Sequence, residues 1–86
     1  MQIWYHTKFK KQFNKLPLDT QNQFYKRLKL FQINRANQKL RVHPLRGRYQ
    51  GYWSLNVTGD VRALFVDDSD ETVTFAVIGS HGELYS

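Results

Sequence analysis

The chain has 86 residues, no cysteine and a formal net charge of +6, with 41% apolar and 15% aromatic residues. Its length holds one domain, residues 1–86, because a chain this small buries only about 60–65% of its unfolded surface. Disulfide frameworks and thiolate metal sites are excluded, and so are spanning helices, since the apolar runs Ala63 to Val66 and Phe75 to Ile78 fall far short of the roughly 20 residues a bilayer requires.

The opening Met1-Gln2-Ile3-Trp4 lacks the basic region and long apolar run of a signal peptide, so a soluble, cytoplasmic protein with no membrane partner is expected. Charge is split along the chain. Residues 1–48 carry twelve Lys or Arg against one acid, Asp19, and residues 49–86 carry one basic residue, Arg62, against six acids. A cationic half of this kind suits phosphates, and an acidic protein partner would satisfy the same charges.

Ile3 to His6, rich in β-branched and aromatic residues, predicts a first strand. Thr7 is placed to cap a helix whose apolar face is Phe9, Phe13 and Leu16, with Lys8, Lys10, Lys11 and Lys15 on the other faces. Pro17 ends that helix and opens the next, where Asp19 complements the helix dipole and Phe24, Leu28 and Phe31 repeat at helical spacing. The pattern fades over residues 34–38. Leu40 to Leu45 then reads as extended or irregular, because Pro44 biases His43 away from helical backbone, and Arg46 to Gly51 reads as a basic, glycine-punctuated loop.

Two alternating runs follow, Trp53-Leu55-Val57 and Val61-Ala63-Phe65, and both predict strands. Their register follows from the rule that paired residues share a face. A three-residue connection, Thr58-Gly59-Asp60, pairs Asn56 with Arg62, Leu55 with Ala63 and Trp53 with Phe65. That register buries one face against the helices and leaves Asn56 and Arg62 side by side on an open one. Asp67 to Glu71 predicts an acidic turn without the spacing of a calcium loop, and Thr72 to Ile78 a last strand. The expected architecture is α+β: a strand, two antiparallel helices, then a three-stranded antiparallel meander, with the helices on one sheet face.

His6, His43 and His81 have no metal-ligand spacing, no nucleotide-binding glycine pattern is present, and neither cofactor nor metal is expected. His81 stands out by its setting, with Gly79 and Gly82 close by, which predicts an exposed loop at a strand end. An arginine in mid-strand among apolar neighbours needs a partner or a ligand. Arginine, histidine and a nearby tyrosine together suit metal-free RNA cleavage, in which the 2′-hydroxyl attacks its own phosphorus and the protein supplies base, acid and cationic stabilisation. Asp60 has a local reason to stand in a turn, and Trp53 belongs on the core face.

Three segments in order, His43-Pro44-Leu45-x-Gly47-x-Tyr49-x-Gly51-Tyr52-Trp53-Ser54, Gly59-Asp60-Val61-Arg62-Ala63-Leu64-Phe65 and Ile78-Gly79-Ser80-His81-x-x-Leu84-Tyr85, resemble the RelE/ParE superfamily of bacterial toxins, especially its YafQ-like branch. The resemblance implies a RelE-like fold, a cognate antitoxin as partner, and ribosome-dependent cleavage of mRNA. It implies His81 as general acid or base, Arg62 against the scissile phosphate, and His43 and Asp60 as further catalytic groups. Tyr85 and Asn56 would contact RNA, with Arg46, Arg48, Lys8, Lys11 and Lys15 on phosphates. Asn56 and Val61 stand where YafQ-like members can have histidine and tryptophan, which makes the site a hybrid of RelE-like Arg62 and YafQ-like His81. A further departure is expected at the end: the sequence stops at Ser86, without room for the C-terminal helix of some relatives. Two alternatives stay open: a ParE-like inhibitor of DNA gyrase, and an inactive antitoxin-binding remnant.

Overall fold

The computed structural model describes residues 1–69 and 71–85; Asp70 of the acidic run and the terminal Ser86 lie outside the described residues. Chain order is β1 (Gln2–Tyr5), α1 (Thr7–Asn14), α2 (Leu18–Ile33), β2 (His43–Pro44), a 3-10 turn at Gly47–Tyr49, β3 (Trp53–Asn56), β4 (Val61–Ser69), β5 (Thr72–Ser80) and α3 (His81–Tyr85).

The antiparallel meander forms as expected from β3, β4 and β5, and its register pairs Asn56 with Arg62, Leu55 with Ala63 and Trp53 with Phe65. The sheet is larger than a meander. Among the described residues it has five strands in the order β1-β5-β4-β3-β2. β1 pairs in parallel with β5 and β2 pairs with β3, so the sheet is mixed. Parallel pairing of chain ends was hidden from sequence periodicity because it depends on the α1–α2 hairpin carrying the chain across the sheet before β2.

The main core lies between α1, α2 and one sheet face. Phe9, Phe13, Phe24, Phe31, Phe65 and Phe75 are all buried in it, with Phe24 meeting Phe75 edge-on at 5.4 Å and Phe31 meeting Phe65 at 5.2 Å. Tilted and edge-on contacts are what ring quadrupoles favour. Burying each phenylalanine stabilises the fold by roughly 1.5–3 kcal/mol. Past the end of β1, where the His6 N–H donates to the Phe75 carbonyl, the Ile78 N–H donates to Gln12 Oε1 of α1 at 3.0 Å. A helix side chain thus takes over where the strand stops.

Several boundaries differ from the sequence expectation. The residue at the cap position of α1 is His6, in extended backbone, and Thr7 is already helical. The acidic run is largely strand: β4 continues through Ser69, and Asp67 forms a bidentate pair with Arg35 at 2.8 and 2.6 Å. That guanidinium also lies 5.1–5.4 Å from the ring centres of Phe31, Trp53 and Phe65, so α2's exit is pinned to the meander by charge and by ring faces. The second sheet face is not open throughout. Leu64, Val77 and Leu84 form a small cluster there, flanked by Leu45, Tyr49 and Tyr52.

Candidate functional site

The site is assembled at one end of the sheet by strand register. His43 pairs with Ser54 across β2 and β3; two residues further along β3, Asn56 pairs with Arg62; across β4 and β5, Arg62 pairs with Gly79 and Val61 with Ser80. His81 follows immediately. Residues from four distant parts of the chain therefore meet because period-two side chains share a face. They line a groove of about 590 Å³ that holds His43, Asn56, Arg62, His81 and Tyr85, together with Arg41, Val42, Leu45 and Ser54. Two arginines line it and no carboxylate does.

Arg62 is held back over its own hairpin. Its guanidinium donates to the carbonyls of Thr58 at 2.9 Å, Val61 at 3.2 Å and Gly59 at 3.2 Å. Carbonyl dipoles orient the charge without neutralising it, and among the described residues no carboxylate pairs with Arg62. A half-buried guanidinium held in this way is ready to meet an anion.

His43 has its ring fixed by Arg41. Nδ1 lies 2.7 Å from the Arg41 carbonyl, and because a carbonyl only accepts, Nδ1 carries the hydrogen. The neutral ring then presents the lone pair of Nε2. Arg41 reaches this position with φ of 47°, the left-handed region, as a residue other than glycine. Such backbone costs on the order of 1 kcal/mol, and here it aims a carbonyl at the imidazole. Sequence reasoning missed Arg41, because nothing in the run Leu40-Arg41-Val42 signals a positive φ.

His81 is not in a loop. It is the first residue of α3, its N–H donates to the Asp60 carbonyl at 2.9 Å, and its ring packs on Tyr85 with centroids 4.6 Å apart. The expectation of a flexible glycine-flanked loop fails because Ser80 and Glu83 form a capping box. The Ser80 N–H donates to Glu83 Oε1 at 2.8 Å and the Glu83 N–H donates to Ser80 Oγ at 3.1 Å. The Ser80 N–H, and after it the Ser80 hydroxyl, holds the Glu83 carboxyl below its ordinary range. The signal, Ser followed three residues later by Glu, was legible in the sequence. Gly79 makes room for it, since a Cβ there would lie 3.3 Å from Glu83 Oε1. Residues 81–85 thus form a short helix where an exposed loop was expected.

Six expected groups lie elsewhere. Asp60 does not line the groove; it contributes its backbone, accepting from His81 and donating from its own N–H to Thr58 Oγ1 at 3.2 Å. Arg48 turns toward α3, where its guanidinium donates to the Leu84 carbonyl at 2.6 Å, joined there by the Tyr49 hydroxyl at 2.9 Å. Gly47 and Gly51, with φ of 67° and 93°, bracket the 3-10 turn that delivers both donors. Lys15 lies by Gln12 and Leu16 on the helical side of β5, and Lys8 lines a separate depression near Tyr52. Lys11 and Arg46 are exposed and outside the groove. Among the described residues, no three His, Asp or Glu side chains group as a metal site, and no helix is long and apolar enough to cross a membrane.

No protein-family model matches this sequence, and no curated protein matches it. Solved structures do. The fold matches the crystal structure of YafQ from E. coli strain BL21(DE3) with a TM-score of 0.77 and 21% identity, over 98% of this chain and 97% of that one. It matches the YoeB/ParE toxin from Agrobacterium tumefaciens with a TM-score of 0.76 and 14% identity, over 94% and 99% of the two chains. It also matches the RelB-RelE antitoxin-toxin complex from Methanococcus jannaschii, with a TM-score of 0.73 and 17% identity over 95% and 94%. The structural neighbours are thus toxins of toxin-antitoxin systems matched over nearly the whole chain, and the fold is RelE-like.

Proposed function

We propose that this chain is the toxin of a toxin-antitoxin pair and acts as an endonuclease on mRNA at the ribosome. The observation that carries the reading is the groove itself: two imidazoles, two guanidiniums, an amide and a phenol, with no carboxylate among the lining residues. The fold shared with YafQ and RelE adds support. In this reading His43 Nε2 takes the proton of the RNA 2′-hydroxyl, and the oxygen attacks the adjacent phosphorus. Arg62, aided by Arg41, stabilises the dianionic phosphorane. The P–O5′ bond breaks as His81 delivers a proton to the leaving oxygen, leaving a 2′,3′-cyclic phosphate and a free 5′-hydroxyl. Tyr85 offers its ring to a base, and Asn56 offers hydrogen bonds to its edge. Asp60 serves through its backbone, by seating His81.

The partner in the cell would be an antitoxin with an acidic segment complementary to the cationic half of the chain. The test is cleavage of a defined mRNA with and without ribosomes. Wild type is expected to cut with ribosomes present, and Arg62→Ala to fall about 10²–10³-fold in single-turnover rate, the usual cost of removing a donor aimed at transition-state charge. Uncut mRNA together with inhibited gyrase supercoiling would replace this reading with a gyrase inhibitor. Uncut mRNA with gyrase unaffected would leave an antitoxin-binding module.

A further inference from the structure

From His81 and Tyr85 of the groove, a row of aromatic rings runs on across the second face of the sheet to Tyr49 and Tyr52, which the proposed reaction does not use. The rings of His81 and Tyr85 lie 4.6 Å apart, Tyr85 and Tyr49 5.7 Å, and Tyr49 and Tyr52 5.9 Å. The row ends at a second depression of about 400 Å³, lined by His6, Lys8, Tyr49, Tyr52, Ala76 and Val77 among others, within the roughly 300–1,000 Å³ of typical ligand sites. Its floor is apolar, since Ala76 and Val77 are 7% and 8% exposed. Its rim is aromatic with one cation, Lys8, which is exposed and pairs with no carboxylate among the described residues; outside the lining, the Arg48 guanidinium lies 5.1 Å from the centre of the Tyr49 ring.

We propose that this depression is a second nucleotide subsite, so that single-stranded RNA runs from the Arg62 groove past Tyr85 to Tyr52. The proposal rests on the nuclease reading of the groove and adds to it a binding site one or more nucleotides from the cut. Alternating ring faces and cations along a track are what a single strand requires, because every base has a stackable face and every linkage a charge. Tyr52 is the stacking platform, Ala76 and Val77 the apolar floor, and Lys8 the phosphate contact.

The experiment uses the full chain at low ionic strength and oligonucleotides carrying a 2′-deoxy residue at the cut site, lengthened one nucleotide at a time on each side. Wild-type affinity should rise stepwise, by about tenfold, at the length that reaches Tyr52, the scale of one base stacked on an aromatic ring. Tyr52→Leu keeps apolar bulk and should lose the step, Tyr52→Phe should retain it, and Lys8→Ala should reduce the log-log salt slope of the longer oligonucleotide by about one unit. Thermal melts of the three variants establish that they are folded. If short oligonucleotides bind in an Arg62-dependent way but no step follows, or if the step survives Tyr52→Leu, the second subsite is overturned while the groove reading stands. If no oligonucleotide binds, the second subsite is overturned; the groove reading stands if ribosomal cleavage persists and falls only if that is absent too.

Discussion

At the scale of single residues, the informative contrast is between the two groove histidines. His43 is locked by the Arg41 carbonyl with its Nε2 unprotonated in the neutral form, whereas His81 is seated by backbone on Asp60 and by its ring on Tyr85. In the proposed reaction the fixed lone pair abstracts the proton and the second imidazole protonates the leaving oxygen. The two roles separate chemically. Replacing the leaving 5′-oxygen of the RNA by sulfur gives a thiolate that departs without a proton. His81→Ala, slowed about 10²–10⁴-fold on ordinary RNA, should recover most of its rate on the sulfur substrate, while His43→Ala should not. Recovery by His43→Ala alone would reverse the assignment.

At the scale of elements, α3 is the part whose stability governs the site. It has five residues, too few for propensity to hold a helix, so it depends on the capping box, on Leu84 in the small apolar cluster, and on Arg48 and Tyr49 donating to the Leu84 carbonyl. Because Glu83 has a lowered folded pKa, the unfolded turn binds more protons than the folded one as pH falls. The stabilisation is therefore complete above about 4.5, the ordinary glutamate value, and is lost as pH drops through the lower folded value. Amide exchange of the Ser80 N–H, corrected for intrinsic rate, should quicken on acidification below that point in wild type. In Glu83→Gln, which keeps an accepting oxygen but no charge, the acid dependence should vanish. An exchange rate equally flat in both proteins would remove the capping box from the account.

At the scale of the whole molecule, one phenylalanine core carries a domain whose total stability, by size, is about 4–13 kcal/mol. Phe24 is 1% exposed and touches Phe9, Phe13, Tyr5 and Phe75, so Phe24→Ala should cost about 3–5 kcal/mol, measurable as a lower urea midpoint; a loss below 1 kcal/mol would mean the core is not built as described. Much of this was legible in the chain. The helical spacing of Phe9-Phe13 and Phe24-Phe31, the antiparallel meander and the pairing of Asn56 with Arg62 follow from periodicity, because a slip of one residue would turn an apolar face to water. The candidate groove was legible in part: His43, Asn56, Arg62, His81 and Tyr85 came together, but Arg41 did not announce itself, since backbone strain leaves no mark in residue type. The hydrogen bond from Arg48 to the Leu84 carbonyl of α3 was not legible either, because a guanidinium reads alike in sequence whether its acceptor is a ligand or a carbonyl. What the sequence by itself determined was what hydrophobic period sets: the helical faces of α1 and α2 and the strands and register of the meander. Only the tertiary structure decided the parallel pairing of β1 with β5, the Arg35–Asp67 clamp and the aromatic row from His81 to Tyr52, because each joins residues separated along the chain through geometry that no local pattern encodes.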